Sequence, residues 1–291
     1  HETAQIANDF ARSIAMLPCT VVSEPNSGLS HARQKGIDTA RYEYLLFCDD
    51  DNWLDPGYIS IAVRIMDAQP SIAALGGLGE PVCEIEPPDW FRKFQGYYAT
   101  GQQGERSGDI TAGKGYVFGA GSVYRRAALQ FLFNNGFRNL LEDRKGNSLT
   151  SGGDVEICKA FKLAGFKIWY DEKMKFSHFI PKERLTWDYI IKLHKGYIDS
   201  FSILYSYSLL ERSKEKPSGP WRKDLMIYGY LFFRHGLRFR KYNKITLPIY
   251  KLFFHYRLQL VKVLLKRGSI MKNVKHITDS KWFKEKNPQL Q

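Results

Sequence analysis

The fold of this chain is decided by the stretch LLFCDDDNW, residues 45–53. A short apolar run stops at three consecutive aspartates, and Asp55-Pro56-Gly57 follows as a turn signal. An apolar run of this length between turn residues is typical of a buried parallel strand. The aspartates then follow its carboxyl end, which is the edge of an open α/β sheet where ligands bind.

The aspartate triplet predicts a cation or phosphate site. Three adjacent carboxylates repel one another, and a divalent cation offsets that repulsion. Mg²⁺ and Mn²⁺ suit this role because they prefer hard oxygen ligands and also hold phosphate oxygens. An acidic surface turn is the alternative interpretation. The strand before the triplet and the Pro-Gly after it favour the metal or phosphate site.

Helix and strand patterns alternate on both sides of this stretch. Apolar residues recur at helical spacing over residues 29–40 and 58–67, and the apolar runs 19–22 and 72–75 indicate strands. This alternation predicts an α/β fold with a mostly parallel central sheet and helices on both faces. The sequence opens on a helical pattern with no strand before it, so we expect an N-terminal piece to be missing.

Residues 84–109 break the alternation and predict a long loop that is rich in aromatic and amide side chains. Long irregular loops in compact domains are usually functional or disordered. Aromatic faces with amide donors suit sugar rings, and a loop packed by its own aromatics is the alternative. Residues 116–121 then indicate a strand that ends in small residues, which allow a ligand or another backbone to approach closely.

A second informative stretch, SGGDVE at residues 151–156, leads into a helix that ends at Gly165. Asp154 falls at or near the helix N-cap, a position that favours Asp for purely structural reasons. The same carboxylate can also face a pocket, and the two interpretations are compatible. Residues 167–170 and 174–178 indicate two short strands, and His178 ends the second, as the aspartates end theirs. A packed or solvent-facing histidine is the alternative.

Composition limits the possible classes of protein. The chain has 291 residues, of which 44% are hydrophobic and 25% charged, as in ordinary globular proteins. The four cysteines form no CxxC pair, so we expect buried thiols in a reducing compartment. No apolar run approaches the ~20 residues that span a bilayer, and no secretory signal is visible.

Charge divides the chain into two parts. Residues 1–211 contain 23 basic and 26 acidic side chains, whereas residues 212–291 contain 20 basic and 4 acidic ones, so the C-terminal part carries the whole excess of +13. We predict a catalytic domain over 1–211 and a helical basic tail over 212–291. Apolar, aromatic and basic residues together suit an anionic membrane surface. The alternative is helices packed on the catalytic domain with a solvated basic face. No nucleic-acid-binding module is recognisable, so no nucleic acid is expected.

Four segments, in this order, resemble the family 2 glycosyltransferases of the GT-A fold: Asn26–Ser30 with Ala32-Arg33 and Gly36, Phe47–Asp51, Gly119–Gly121 with Arg125-Arg126, and Gly153–Glu156 with Gly165 and His178. The resemblance covers roughly residues 20–178. Two departures stand out. Gly153 occupies the place of the family's Glu, and the opening strand and base-binding loops of the family are absent from this sequence.

The resemblance implies inverting transfer of a sugar from a nucleotide-diphosphate donor to a hydroxyl group. It implies that Asp154 is the general base. It also implies that Asp51 and Asp49, with His178, hold Mn²⁺ or Mg²⁺ at the leaving diphosphate. Arg33, Gly28 and Asp49 are candidates for the donor's diphosphate and ribose side. The candidates for the acceptor side are Gly119, Gly121, Trp90, Tyr97, Tyr98 and Trp187.

The implied setting is bacterial cell-surface polysaccharide synthesis. The acceptor would be a saccharide or a lipid-linked saccharide, and the enzyme would be cytoplasmic and peripheral on the inner face of the cell membrane. Two other classes remain open. One is a metal-dependent nucleotidyltransferase or phosphohydrolase that uses the same aspartates. The other is a non-catalytic, membrane-bound interaction protein that keeps only the fold.

Overall fold

A mixed sheet of six strands forms the centre of the protein. The computed structural model describes residues 2–13, 18–141, 151–212, 226, 230 and 265–288. The strands are β1 (Tyr44–Leu46), β2 (Asn52–Leu54), β3 (Ile72–Cys83), β4 (Gly108–Asp109), β5 (Val123–Arg125) and β6 (Lys167–Ile180). Their order is β1-β5-β3-β6-β2, and β4 also pairs with β6.

Pairing in this sheet differs from the mostly parallel order that we expected. Among the described strands, β3 and β6 form the parallel pair, whereas β1–β5, β3–β5, β2–β6 and β4–β6 are antiparallel. Parallel neighbours need a crossover of a dozen or more residues, usually a helix. The five residues between β1 and β2 are too few for one, and β2 accordingly runs opposite to β1.

Helices cover both faces of the sheet, so the α/β class is confirmed. The helices are α1 (Glu2–Ser13), α2 (Leu29–Thr39), α3 (Tyr58–Ala68), α4 (Phe91–Phe94), α5 (Arg126–Asn134), α6 (Gly153–Leu163), α7 (Trp187–Arg212), α8 (Arg267–Asp279) and α9 (Lys281–Lys286). One core cluster joins β3, β5 and β6 to α5, α6, α7, α8 and α9. A second cluster packs α3 against the opposite face of the same strands.

Strand β3 continues through the glycines at which the apolar run was expected to end. Its first six residues, Ile72 to Gly77, are buried. A Cβ on Gly76 would lie 2.7 Å from Gln103 Nε2, and one on Gly77 would lie 2.1 Å from Met174 O. The glycines are therefore sites of close packing within a strand. They do not terminate it.

Three other strand predictions are wrong in part. Residues 19–22 are exposed and pair with no described strand. Residues 116–121 form no ladder, and the neighbouring strand β5 begins at Val123. The two short strands predicted over 167–178 form one long strand, β6. Its register with β3 shifts between Gly76 and Leu78, but pairing continues after the shift, so the strand is not interrupted.

The described end of the basic tail packs on the catalytic body. Ile270, Val274, Ile277, Trp282 and Phe283 are buried in the same cluster as α5, α6 and α7. Residues 265–288 therefore form helices packed on the catalytic domain, which is the alternative to membrane association that the sequence left open. Residues 213–225, 227–229 and 231–264 of the predicted tail lie outside the described residues. Within the described chain, no helix is both long enough and apolar enough to cross a bilayer.

Candidate functional site

A cleft of about 770 Å³ opens where the aspartate loop after β1 faces the first turn of α6. The start of α2 and the segment after α4 line two further sides. Most of the predicted site residues lie in this cleft: Gly28, Arg33, Asp49, Asp51, Tyr97, Tyr98, Gly119, Asp154 and His178. The fold therefore brings these residues together at one site, while their chemical roles stay predictions.

Three predicted acceptor-side residues do not line the cleft. Gly121 is buried behind it, where a Cβ would lie 2.8 Å from the Tyr58 hydroxyl. Trp90 and Trp187 pack against each other with ring centroids 4.7 Å apart. These tryptophans are half-buried and pack against the core cluster that contains Phe91 and Ile190. For Trp90, the contact agrees with the alternative of a loop packed by aromatic side chains, although its partner Trp187 lies outside the loop, at the start of α7.

Asp154 is held by two backbone N–H groups. Gly119 N donates to its Oδ2 over 2.7 Å, and Val155 N donates to its Oδ1 over 2.8 Å. The N-cap of α6 is Gly152, with φ at 123°, and no side chain caps the helix. Asp154 is therefore near the N-cap, as predicted, but does not occupy it. It lies in the first helical turn, with its carboxylate fixed at the wall of the cleft.

Because Gly119 has no side chain, two charged side chains can approach the space beside its Cα. A Cβ at this position would lie 2.6 Å from Arg33 NH2 and 3.4 Å from Asp154 Oδ2. The Arg33 guanidinium also lies over the Phe47 ring, with its carbon 5.8 Å from the ring centroid. The sequence predicts that Arg33 binds the donor, and the structure places its guanidinium close to Asp154.

Asp51 forms an anionic centre at the other side of the cleft. Its Oδ2 lies 3.1 Å from Arg184 NH1 and 3.5 Å from His178 Nε2, and its Oδ1 accepts a bond from Asn52 Nδ2 over 3.0 Å. Burial lowers the pKa of His178, Arg184 lowers it further, and Asp51 opposes both. The lowered pKa favours a neutral imidazole, the form that binds metals.

Two donor atoms near Asp51 are of the kind that divalent cations bind, a carboxylate oxygen and an imidazole nitrogen. His178 Nδ1 is buried and has no hydrogen-bond partner among the residues that the structure describes, while Nε2 lies 3.5 Å from Asp51 Oδ2. No group of three or more His, Cys, Asp or Glu side chains suitable for a metal occurs in the part of the chain that the structure describes. Mg²⁺ is usually held by one or two carboxylates together with substrate phosphates and water. Asp51 Oδ2 and His178 Nε2, 3.5 Å apart, would supply part of such a shared site, and Asp49 lines the same cleft.

Aromatic rings line the side of the cleft next to α7. The Tyr98 hydroxyl donates to the carbonyl of Arg184 over 2.7 Å, and the Tyr97 hydroxyl lies 3.1 Å from His194 Nδ1. The other rings of this lining are Phe94, Tyr116, Phe118, Tyr189 and Tyr197. Sequence reasoning did not single out these five, because their spacing looks like that of ordinary core residues.

Comparison with known proteins shows similarity over parts of the chain. Residues 1–133 match the family described as "Glycosyl transferase family 2". A 64-residue stretch is 41% identical to "Putative glycosyltransferase EpsH" of Bacillus subtilis (strain 168), covering 21% of this chain and 19% of that protein. The chain therefore spans about a fifth of this relative. The crystal structure of S. aureus TarS 1-349 matches with a TM-score of 0.43 and 14% identity, over 99% of this chain and 78% of that one.

Proposed function

We propose, on the premise that this chain carries a glycosyltransferase family 2 domain, that it transfers a sugar from a nucleotide-diphosphate donor to an acceptor hydroxyl with inversion. One observation carries this proposal. A fixed carboxylate, Asp154, lines the same cleft as the aspartates that follow β1. One side of the cleft can therefore serve the nucleophile while another serves the leaving group.

Asp154 is the general base of this proposal. A hydroxyl is a poor nucleophile at its ordinary pKa, and removing its proton as it attacks typically accelerates transfer ~10²–10⁴-fold. The two backbone N–H groups orient the carboxylate before the substrate arrives. Oriented in this way, Asp154 receives the acceptor proton as the new glycosidic bond forms and the bond to the diphosphate breaks.

Asp51, Asp49 and His178 would hold Mn²⁺ or Mg²⁺ beside the diphosphate. When bound, the cation acts as a Lewis acid that stabilises the negative charge of the leaving group. Arg33 and Arg184 both line the cleft and can add charge-assisted hydrogen bonds to phosphate oxygens. Gly28, just before α2, leaves room for the donor at the start of that helix.

The acceptor is a saccharide or a lipid-linked saccharide. The support is the row of rings that includes Tyr97 and Tyr98, because sugar rings present flat C–H faces to aromatic side chains while their hydroxyls bond polar groups. Ligand sites commonly combine apolar walls with a few oriented polar groups. We place the activity in bacterial cell-surface polysaccharide synthesis.

An anionic membrane surface is the proposed location, on the cytoplasmic side. Helices α8 and α9 bury an apolar face and expose a basic one: Arg267, Lys272, Lys275, Lys281, Lys284 and Lys286. Basic residues near an anionic leaflet contribute about 1 kcal/mol each. Because α8 supplies core residues, the test replaces exposed lysines with Gln and keeps the helix in place.

Liposome co-sedimentation tests the membrane proposal. Lys272, Lys275, Lys281 and Lys284 become Gln in one variant, and Lys35, Lys173, Lys182 and Lys192 become Gln in a charge-matched control. We expect weaker binding to anionic vesicles in the first variant only, and little binding of any form to neutral vesicles. Equal binding of both variants to anionic vesicles contradicts the proposed location.

A panel of nucleotide sugars tests the activity itself. With Mn²⁺ or Mg²⁺ and without acceptor, the protein should slowly hydrolyse one donor to sugar and nucleoside diphosphate. Release of a nucleoside monophosphate would instead indicate a nucleotidyltransferase or phosphohydrolase. If no donor is bound or cleaved under any condition, the non-catalytic alternative is favoured.

A further inference from the structure

We propose that Lys114 is a positioning residue for Asp154. It supports the segment of the cleft wall that holds this carboxylate, and its positive charge faces the carboxylate. The inference rests on the proposed function, in which Asp154 is the base. Lys114 does not itself line the cleft. It acts on the reaction through the groups described next.

Lys114 is enclosed by two aromatic rings and an amide. Its Nζ lies 3.5 Å from the centroid of the Phe118 ring and 4.7 Å from that of Tyr116. It also donates to Gln103 Oε1 over 3.3 Å. An ammonium over aromatic faces is attracted by the ring quadrupole, and this attraction is larger where water is excluded.

Gln103 connects Lys114 to the catalytic carboxylate. This side chain is buried, and its Nε2 donates to the carbonyl of Gly77 in β3 over 2.8 Å. Its Oε1 accepts the N–H of Phe118 over 2.7 Å in addition to the ammonium. The next residue is Gly119, whose N–H holds Asp154. The sheet therefore fixes Asp154 through Gln103 and the Phe118–Gly119 segment.

Charge gives Lys114 a second effect on Asp154. Burial lowers the pKa of Lys114 to about 8, and the negative charge of Asp154 is the largest opposing influence. The other titratable groups that face it are Cys158 on α6 and Tyr116 on its own segment, and Lys162 lies near Gly115. The opposite charges attract each other, and this attraction adds to the hydrogen bonds that hold the carboxylate in place.

Lysine at this position is costly, which argues against a purely structural role. An ammonium loses hydration when it is buried, and apolar side chains of similar length fill such a space without that cost. Titratable groups with strongly perturbed pKa values are enriched at functional sites. Lys114 is connected to Asp154 in two ways, through the hydrogen bonds of Gln103 and Gly119 and through the attraction of opposite charges.

Two methionine variants separate this role from general packing. Lys114→Met removes the charge facing Asp154, and Lys159→Met removes another partly buried lysine, one that pairs with Glu211. We expect Lys114→Met to lower kcat ~10–100-fold with donor affinity unchanged within about two-fold, and Lys159→Met to keep kcat. A Lys114→Met protein with parental kcat overturns the proposal, as does an equal loss in Lys159→Met.

The pH dependence of turnover gives a readout that packing alone would not move. If the ammonium is required, kcat should decline above about pH 8 in the parent. In Lys114→Arg the decline should disappear, because a guanidinium stays charged throughout this range. A decline that persists unchanged in Lys114→Arg overturns the assignment of that titration to Lys114.

Amine labelling tests the pairing without any turnover. The rate at which acetic anhydride acylates Lys114 is followed against pH by peptide mass spectrometry, in the parent and in Asp154→Asn. We expect the midpoint to fall in Asp154→Asn, and an unchanged midpoint overturns the pairing. If the parent transfers sugar from no nucleotide donor, the proposed function fails, while the labelling still decides whether Lys114 faces Asp154.

Discussion

The backbone N–H of Gly119 donates to Asp154 Oδ2 over 2.7 Å. This bond joins the segment before β5 to the first turn of α6, two parts of the chain that are 35 residues apart. It directs one carboxylate oxygen into the wall of the cleft, beside Arg33. The geometry of the proposed base therefore depends on a residue that has no side chain.

Gly119→Ala should impair transfer more than it impairs folding. The new Cβ would lie 2.6 Å from Arg33 NH2, the far end of a flexible side chain that can move away. We expect kcat to fall ~10–100-fold, because misplacing catalytic groups by about 1 Å costs rates of this order. Steady-state kinetics and thermal unfolding measure the two effects.

Gly113→Ala is the matched control for this substitution. At that position the nearest atom to a new Cβ is Ile110 O, at 3.8 Å. The control should therefore keep parental kcat and stability. Equal kcat values for the two alanine variants would contradict the view that the positions of Arg33 and Asp154 depend on the missing side chain at Gly119.

Arg184→Ala should change cation and donor binding in opposite directions. Its guanidinium lies 3.1 Å from Asp51 Oδ2 and so competes with a metal for that oxygen in the donor-free protein. Without it, Mn²⁺ should bind several-fold more tightly in the absence of donor, while the nucleotide sugar should bind more weakly because a phosphate contact is lost. Calorimetric titration measures both affinities. Loss of both affinities together would contradict this role for Arg184.

Glu156→Ala should destabilise the protein strongly. The Glu156 carboxylate is buried and accepts bonds from Leu140 N, Leu141 N and the Tyr207 hydroxyl, at 2.9, 3.0 and 2.9 Å. Its removal leaves buried N–H groups without this acceptor, so we expect the free energy of unfolding to fall by about 2–4 kcal/mol. Urea denaturation measures the loss.

Tyr207→Phe provides a graded comparison. It removes only the hydroxyl that donates to Glu156, which costs about 1 kcal/mol for one hydrogen bond. A loss for Glu156→Ala no larger than that for Tyr207→Phe would contradict the view that Glu156 holds residues 140–141 in place.

The stability of the parent should depend on pH through Lys114. The pKa of this lysine is about 8 in the folded protein, whereas an exposed lysine has a pKa of 10.5. Between these values the unfolded chain binds more protons, so the free energy of unfolding should rise as the pH increases through this window. Below about pH 8 both states carry the proton, and the cost of burying the charge is constant.

Lys114→Met should lack this rise, because methionine carries no titrating group at this position. At each pH, the unfolding free energy of Lys114→Met is subtracted from that of the parent, which cancels the contributions of the other titrating groups. A difference that stays flat from pH 7 to pH 10 would contradict the assignment.

The sequence identified those parts of the site that local chemistry marks. The aspartates after an apolar run, and Asp154 after two glycines, have patterns that point to an edge of a sheet and a helix start. The pairing of strands was less accessible, because Gly76 and Gly77 resemble a strand end unless Gln103 and Met174 are known to pack against them.

Residues that act through tertiary contacts left no local signal. Lys114 and Gln103 belong to an irregular stretch, and only the fold places them behind Phe118. Trp90 and Trp187 show the opposite case. As aromatic residues they suggested a sugar platform, but they pack against each other beside a core cluster.

Asp154→Asn provides the most direct test of the central claim. The amide keeps the size of the side chain and can keep the bond from Gly119 through its oxygen, but it cannot accept the acceptor proton. Transfer by a donor-saturated enzyme should fall ~10²–10⁴-fold, while the dissociation constants for nucleotide sugar and Mn²⁺ should stay within about two-fold of the parent. Near-parental transfer by Asp154→Asn would contradict the account and leave Asp154 a structural residue of α6.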